Sequence, residues 1–381
     1  MPPESQQVEI IGVVPPQLGA VTDAFAHHFE TGQELGARFT LCQEGEVILD
    51  LWAGHADRAR TRPFDQTTLT PVFSTGKAVA ALLIARLVTE GRLDYEQPVA
   101  DVWPEFAAAG KAAVTVAEAL SHQAGLAGLR GPMQPRDWYD WEAVCARIAA
   151  AAPLWPPGSA SGYHPVTVGF IAGEIFRRID GRMMNAALAE DVAGPFGLDL
   201  SIGLSSADRP RVSEMERPKA FAAFGPMTDI LRLAFFSPWS QPGGGDPGQG
   251  RAAPIPSTNT HATAEALARL FAVMACEGAL AGKPFLSPKT VRAASQARVR
   301  GSDLVLPFDI AWGAGLMRNE GLNIWGPGQE TIGHAGWGGS CVFADPQKRL
   351  SGAYVMNRQS PHLIGDPRPK ALIEAAYAAL G

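Results

Sequence analysis

Charge is scarce in this 381-residue chain: Asp, Glu, Lys and Arg make up 18% of it, 32 basic against 38 acidic, for a net charge of -6. No basic run is present that could track a phosphate backbone, so nucleic acid is not an expected partner. Cysteine is scarcer still. Cys42, Cys145, Cys276 and Cys341 stand far apart, form no Cys-x-x-Cys pair and lie among apolar neighbours. That pattern argues against a zinc site or a disulfide framework and for buried free thiols. No stretch is long and apolar enough to cross a bilayer, and Met1 to Gln7 has neither the basic start nor the apolar core of an export signal. A cytoplasmic location without membrane contact is expected.

Several catalytic signatures are missing as well. There is no Gly-x-Ser-x-Gly elbow, no His-Glu-x-x-His and no Walker-type Gly-Lys-Ser/Thr. Gly243, Gly245 and Gly248 form a Gly-x-Gly-x-x-Gly match, but within a Pro- and Gly-dense segment, 237–250, with no strand before it and no helix opening from it. A loop over a cleft is expected there in place of a dinucleotide site. Neither a metal nor a cofactor is called for.

What is plentiful is apolar surface: 46% of residues are hydrophobic, enough for a large core in one two-lobed unit or two domains. Leu18, Val21, Phe25 and Phe29 recur at helical spacing, which predicts a helix over 16–34. Residues 38–52 read as two strands around a turn at Glu44-Gly45. Residues 116–120, 141–151, 166–178 and 184–192 are helix candidates, and a further helix should follow Thr263. Strands are expected at 312–318, 340–344 and 352–357, before a closing helix over 370–380. Strands at both ends with helices between them predict an α+β fold: one antiparallel sheet, flanked by helices, built from residues 1–70 and 256–381, beside a mainly helical domain over 71–255. The cleft between the two is the expected site.

Ser74 and Lys77 open an alanine-rich apolar run, Gly76 to Leu83. On a helix, positions three apart share a face, so the amine can reach back to the hydroxyl. The amine is a base only if neutral, and a dry setting of Ala78, Val79, Ala81 and Leu82 would lower its pKa. Taken alone, the pair suits equally an ordinary surface lysine with Ser74 as an N-cap. Tyr163 enters a helix from a Gly- and Ser-rich loop, where its phenol could exchange protons beside a lysine, or pack a helix start. His164, with no placed acid partner, reads as structural. Near the C-terminus, Gly333-His334-Ala335-Gly336-Trp337-Gly338-Gly339 precedes a strand; such glycines let a substrate lie on the backbone and free an amide for an oxyanion, or serve tight turns. Trp138, Tyr139, Trp141, Phe235, Phe236, Trp239 and Trp337 divide between core packing and the cleft.

The order Ser74-x-x-Lys77, Tyr163, His334-Ala335-Gly336 resembles the serine β-lactamase and penicillin-binding-protein superfamily. In detail it is similar to the family VIII carboxylesterases, relatives of class C β-lactamases, including the stretches 120–126, 163–174, 255–264 and 333–346. The resemblance implies the β-lactamase/transpeptidase-like fold. It also implies Ser74 as nucleophile, Lys77 and Tyr163 as the proton-handling pair, and the Ser74 and Trp337 N–H groups as an oxyanion hole, with His334, Gly336 and Trp337 binding substrate. Two departures count. Pro165 stands where class C enzymes carry the asparagine of Tyr-x-Asn, and His334 where they carry the lysine of Lys-Thr-Gly. Losing an amide holder and a cation favours a small uncharged ester over an anionic lactam. The implied activity is a serine carboxylesterase working through an acyl-enzyme. A β-lactamase, a D-amino-acid peptidase, an acyltransferase or a catalytically silent ligand-binding module on the same scaffold are the alternatives.

Overall fold

A computed structural model describes residues 8–381; the reading of Met1 to Gln7 lies outside them. The strands in chain order are β1 (Ile11–Val13), β2 (Gly36–Gln43), β3 (Glu46–Gly54), β4 (Thr70–Pro71), β5 (Leu200–Ile202), β6 (Thr260–Ala262), β7 (Ala279–Leu280), β8 (Lys283–Pro284), β9 (Met317–Arg318), β10 (Ile332–Ala335), β11 (Cys341–Asp345) and β12 (Leu350–Met356). Seven of them form one antiparallel sheet in the order β1-β3-β2-β12-β11-β10-β9. The seam between β2 and β12, from Ala37 opposite Met356 to Gln43 opposite Leu350, joins the two ends of the chain.

Alternation explains why this sheet is covered on both faces. Val342 and Ala344 join the core that includes Leu267, Leu270 and Phe271 of the helix Ala264–Ala275, whereas Phe343 between them joins Phe25, Leu372 and Ile373 of the terminal helices Gly19–Glu30 and Pro367–Leu380. Each of these side chains other than Ala344, fully buried, is worth about 1.5–3 kcal/mol. The helix Gly76–Thr89 is buried almost all round, as its alanines and leucines require, and packs on the helix Thr167–Asp180. That helix carries Gly169, where a Cβ would lie 2.4 Å from Ser257 Oγ, so the segment bearing Ser257 comes close to it.

Three expectations are corrected. The strand over 312–318 shrinks to Met317–Arg318, because Gly315, at φ +82°, folds the segment back and Gly313 N–H reaches Leu316 O at 2.7 Å. The segment 237–250 does lead into a helix, Pro247–Ala252, whose first amides are capped by Asp246 Oδ1 at 2.8 Å from Gly248 N. The helix from Met184 ends at Leu188 and passes into a π turn, Ala189–Ala193. A small sheet, β4-β6-β5, was not foreseen; its two- and three-residue strands are too short to show a period, yet β4 delivers the chain to Ser74.

Candidate active site

The chain leaves β4 through Phe73, whose φ of +48° is a left-handed conformation costly for a bulky residue. Ser74 follows in a single 3-10 turn, Phe73–Thr75, and the helix begins at Gly76. Ser74 is therefore not the N-cap. A side chain at Gly76 would meet Thr260 Oγ1 at 2.2 Å and Pro256 O at 2.6 Å, so only glycine lets the turn seat against β6.

Lys77 Nζ lies 2.8 Å from Ser74 Oγ and 3.0 Å from Ser257 O. The residue is 5% exposed, and burial alone holds its pKa well below the ordinary lysine value. A neutral amine that donates one hydrogen to Ser257 O keeps its lone pair for the hydroxyl of Ser74. The Tyr163 ring sits 5.0 Å from the same Nζ; burial pushes the phenol's pKa up, and the nearby Ser74 hydroxyl draws it back in part. Ser74, Lys77 and Tyr163, drawn from two helix starts, thus meet at one point.

Asp303 fixes the tyrosine from a distance in sequence. Its Oδ1 accepts from the amides of Tyr163 at 2.8 Å and of Val305 and Leu306 at 3.0 Å, and burial raises its pKa against those bonds. His164 is wholly buried, with Nε2 accepting from Leu126 N–H at 2.9 Å and Nδ1 donating to Gly162 O at 2.6 Å. Both ring nitrogens are spent on backbone, and burial lowers its pKa to about 3. His122 fills the space between Tyr163 and Trp312, with ring centroids at 5.0 and 4.4 Å.

On the opposite wall, β10 carries His334, a strand that starts before the glycine-rich turn as well as after it. His334 Nδ1 bonds Ala335 O at 2.8 Å, which leaves hydrogen on Nδ1 and a bare Nε2. Burial lowers its pKa to about 3, so it is a neutral imidazole. At Gly336 a Cβ would lie 2.2 Å from Ser340 Oγ and 2.3 Å from Val72 O; the close approach of this turn to the Ser74 turn requires glycine. Ser340 Oγ ties the two together through Val72 O at 2.9 Å and Thr75 Oγ1 at 3.0 Å. The Trp337 N–H makes no backbone hydrogen bond among the described residues.

These groups open on a cleft of about 590 Å³. Ser74, Tyr163, His334 and Trp337 line it, and none of the described residues around it is Asp, Glu, Lys or Arg. Of the aromatic candidates, Tyr139, Phe235, Phe236 and Trp337 line it; Trp138 and Trp141 pack on Phe170, and Trp239 lies against the core with its indole N–H on Leu129 O at 2.8 Å. Asp303, Ser257, Phe221 and Phe224 were missed. Only Ser257 had a signal, its place in the 255–264 stretch. An aspartate that accepts backbone amides far along the chain leaves no local pattern.

Residues 21–377 match the Beta-lactamase family. "Esterase/beta-lactamase LipL" of Mycobacterium tuberculosis is 35% identical over 370 residues, 93% of this chain and 84% of that protein. A penicillin-binding protein homolog from Caulobacter crescentus has a crystal structure 57% identical, with a TM-score of 0.95 over 97% of this chain and 100% of its own. The crystal structure of a family VIII carboxylesterase is 40% identical, with a TM-score of 0.91 and the same coverage. With nearly its whole length matched, and with the sheet and helices arranged as in these relatives, the chain belongs to the beta-lactamase family.

Proposed function

We propose that this protein is a carboxylesterase that cleaves small uncharged esters through an acyl-enzyme on Ser74. The observation that carries the reading is the buried Lys77 amine, 2.8 Å from the Ser74 hydroxyl, facing a cleft without charge. In the first step the Ser74 oxygen adds to the ester carbonyl as its proton passes to Lys77 or Tyr163. The N–H groups of Ser74 and Trp337 receive the oxyanion; neither is spent on a backbone hydrogen bond among the described residues. Collapse of the tetrahedral intermediate returns the proton to the departing alkoxide, which leaves as alcohol. Water then adds to the carbonyl of acyl-Ser74 as its proton passes to the same pair; the second tetrahedral intermediate breaks its bond to the Ser74 oxygen, which takes that proton back, and the acid departs.

Three observations support an ester over an anionic lactam. Pro165 cannot hold a substrate amide as a side-chain amide would, His334 is neutral, and no cation among the described residues lines the cleft. The similar structure of a family VIII carboxylesterase supports the same choice. A cytoplasmic setting belongs to this reading, supported by four buried free thiols; no helix among the described residues is long and apolar enough to cross a membrane. The test is hydrolysis of p-nitrophenyl butyrate by the wild type and by Ser74→Ala. Turnover should vanish in the variant, and full activity there would refute the assignment.

A further inference from the structure

Behind the glycine turn, away from the cleft, lies a buried guanidinium. Arg368 is 3% exposed, and its Nη2 donates to Gly338 O at 2.8 Å. Its other hydrogens go to Asp366 Oδ1 at 3.1 Å and Oδ2 at 2.8 Å, Glu34 Oε1 at 2.9 Å, Arg358 O at 2.8 Å and Gln33 O at 3.2 Å. Asp366 also accepts from the Arg368 amide at 2.9 Å and so caps the last helix. A side chain this constrained is far more than an isolated ion pair needs.

The turn has three peptide planes, and its last is hydrogen-bonded to its first. In the plane joining Gly338 to Gly339, the carbonyl is held by Arg368 and by the Ser360 amide at 2.9 Å, while the Gly339 N–H donates to Gly336 O at 3.1 Å. That acceptor belongs to the first plane, which joins Gly336 to Trp337. In a trans peptide the C=O and N–H point in opposite directions, so committing Gly336 O to the inside of the turn aims the Trp337 N–H outward. There is no slack. A Cβ on Gly339 would lie 2.3 Å from Asp366 Oδ2 and 2.5 Å from Arg368 Nη2, and both Gly338 and Gly339 have left-handed φ, +89° and +122°.

We infer that Arg368 is a positioning residue for the reaction, orienting the Trp337 N–H through the Gly338 carbonyl. The inference rests on the reading of that N–H as an oxyanion donor. An unaligned donor weakens stabilisation of the transition state while leaving ground-state binding in place.

Arg368→Met should therefore lower kcat for p-nitrophenyl butyrate by roughly 10- to 100-fold, with KM within about threefold of wild type. Its crystal structure should show the Trp337 amide turned from its wild-type direction. Arg368→Lys keeps one donor for Gly338 O and should recover part of kcat. Leu372→Ala, on the same helix but in the core, controls for lost stability: its melting temperature should fall while kcat stays within about twofold. A folded Arg368→Met with wild-type kcat, an unmoved Trp337 amide, or an equal loss of kcat in Leu372→Ala would each overturn the proposal. If Arg368→Met does not fold, Arg368→Lys decides by the same two readouts taken together: a lowered kcat with the Trp337 amide in its wild-type direction, or full kcat with that amide turned, would count against it. Should the wild type fail to hydrolyse the ester, the functional reading falls, and the crystallographic comparison still decides whether Arg368 sets the amide.

Discussion

The amide of Tyr163 donates to Asp303 Oδ1 at 2.8 Å across 140 residues of sequence. Two further amides, of Val305 and Leu306, share that oxygen, so the carboxylate locks the loop bearing the phenol to the wall of the cleft. Asp303→Ala would orphan all three donors, each worth about 1–3 kcal/mol when buried and unmet. Stability should fall by about 3 kcal/mol or more, read from urea unfolding. Asp303→Asn, which retains an oxygen acceptor, should lose less and keep most of its ester turnover.

Lys77→Met separates chemistry from stability. Because burial lowers the amine's pKa, the folded chain holds a proton there less tightly than the unfolded chain does, which favours unfolding as pH falls below the unfolded value. Methionine removes that contribution, so the melting temperature should hold or rise. The kcat/KM for p-nitrophenyl butyrate should drop by about 10²–10⁴, the usual worth of a positioned base.

Gly336→Ala should push β10 off the Ser74 turn, since its Cβ would sit within 2.3 Å of both Ser340 Oγ and Val72 O. We expect a loss of about 1–3 kcal/mol and slower labelling of Ser74 by a fluorophosphonate, followed by intact mass.

Acid should loosen the fold through its buried histidines. Burial holds His164 and His334 near 3 and His261 near 4, against about 6.5 in an unfolded chain. The stability they contribute is complete above pH 6.5 and is lost as pH falls toward those values. The urea midpoint should drop between pH 7.5 and 5.5, and His261→Gln should show a shallower drop. A flat midpoint in the wild type would contradict this.

The cleft should discriminate by charge. p-Nitrophenyl butyrate and the mono-p-nitrophenyl ester of succinic acid differ little in size, yet the second carries a carboxylate into a site lined by no cation. Its kcat/KM should be at least about tenfold lower, a cost near 1.4 kcal/mol.

Much of this was legible wherever a local pattern carried it. The β2–β3 hairpin shows its turn at Glu44 and Gly45, both at positive φ, and the Ser74 helix shows its apolar run up to Thr89. The meeting of Ser74, Lys77 and Tyr163 was foreseeable from residue type and order. What escaped was set by distant contact. Trp312 pairs with Val299 and Met317 because glycines fold its segment, and Asp303 acts on backbone far from itself. The Asp246-Pro247 start of a helix was readable as a cap followed by proline, but the glycines after it hid the element.

The seam between β2 and β12 sets a timetable for synthesis. The first hairpin leaves the ribosome with one long edge unsatisfied, and the strand that seals it comes roughly 300 residues later, a wait of about 15–60 s at ordinary rates of translation. Until then everything between, the Ser74 helix included, has no finished sheet to rest on, and a message cut short before residue 350 yields a chain whose two halves never close.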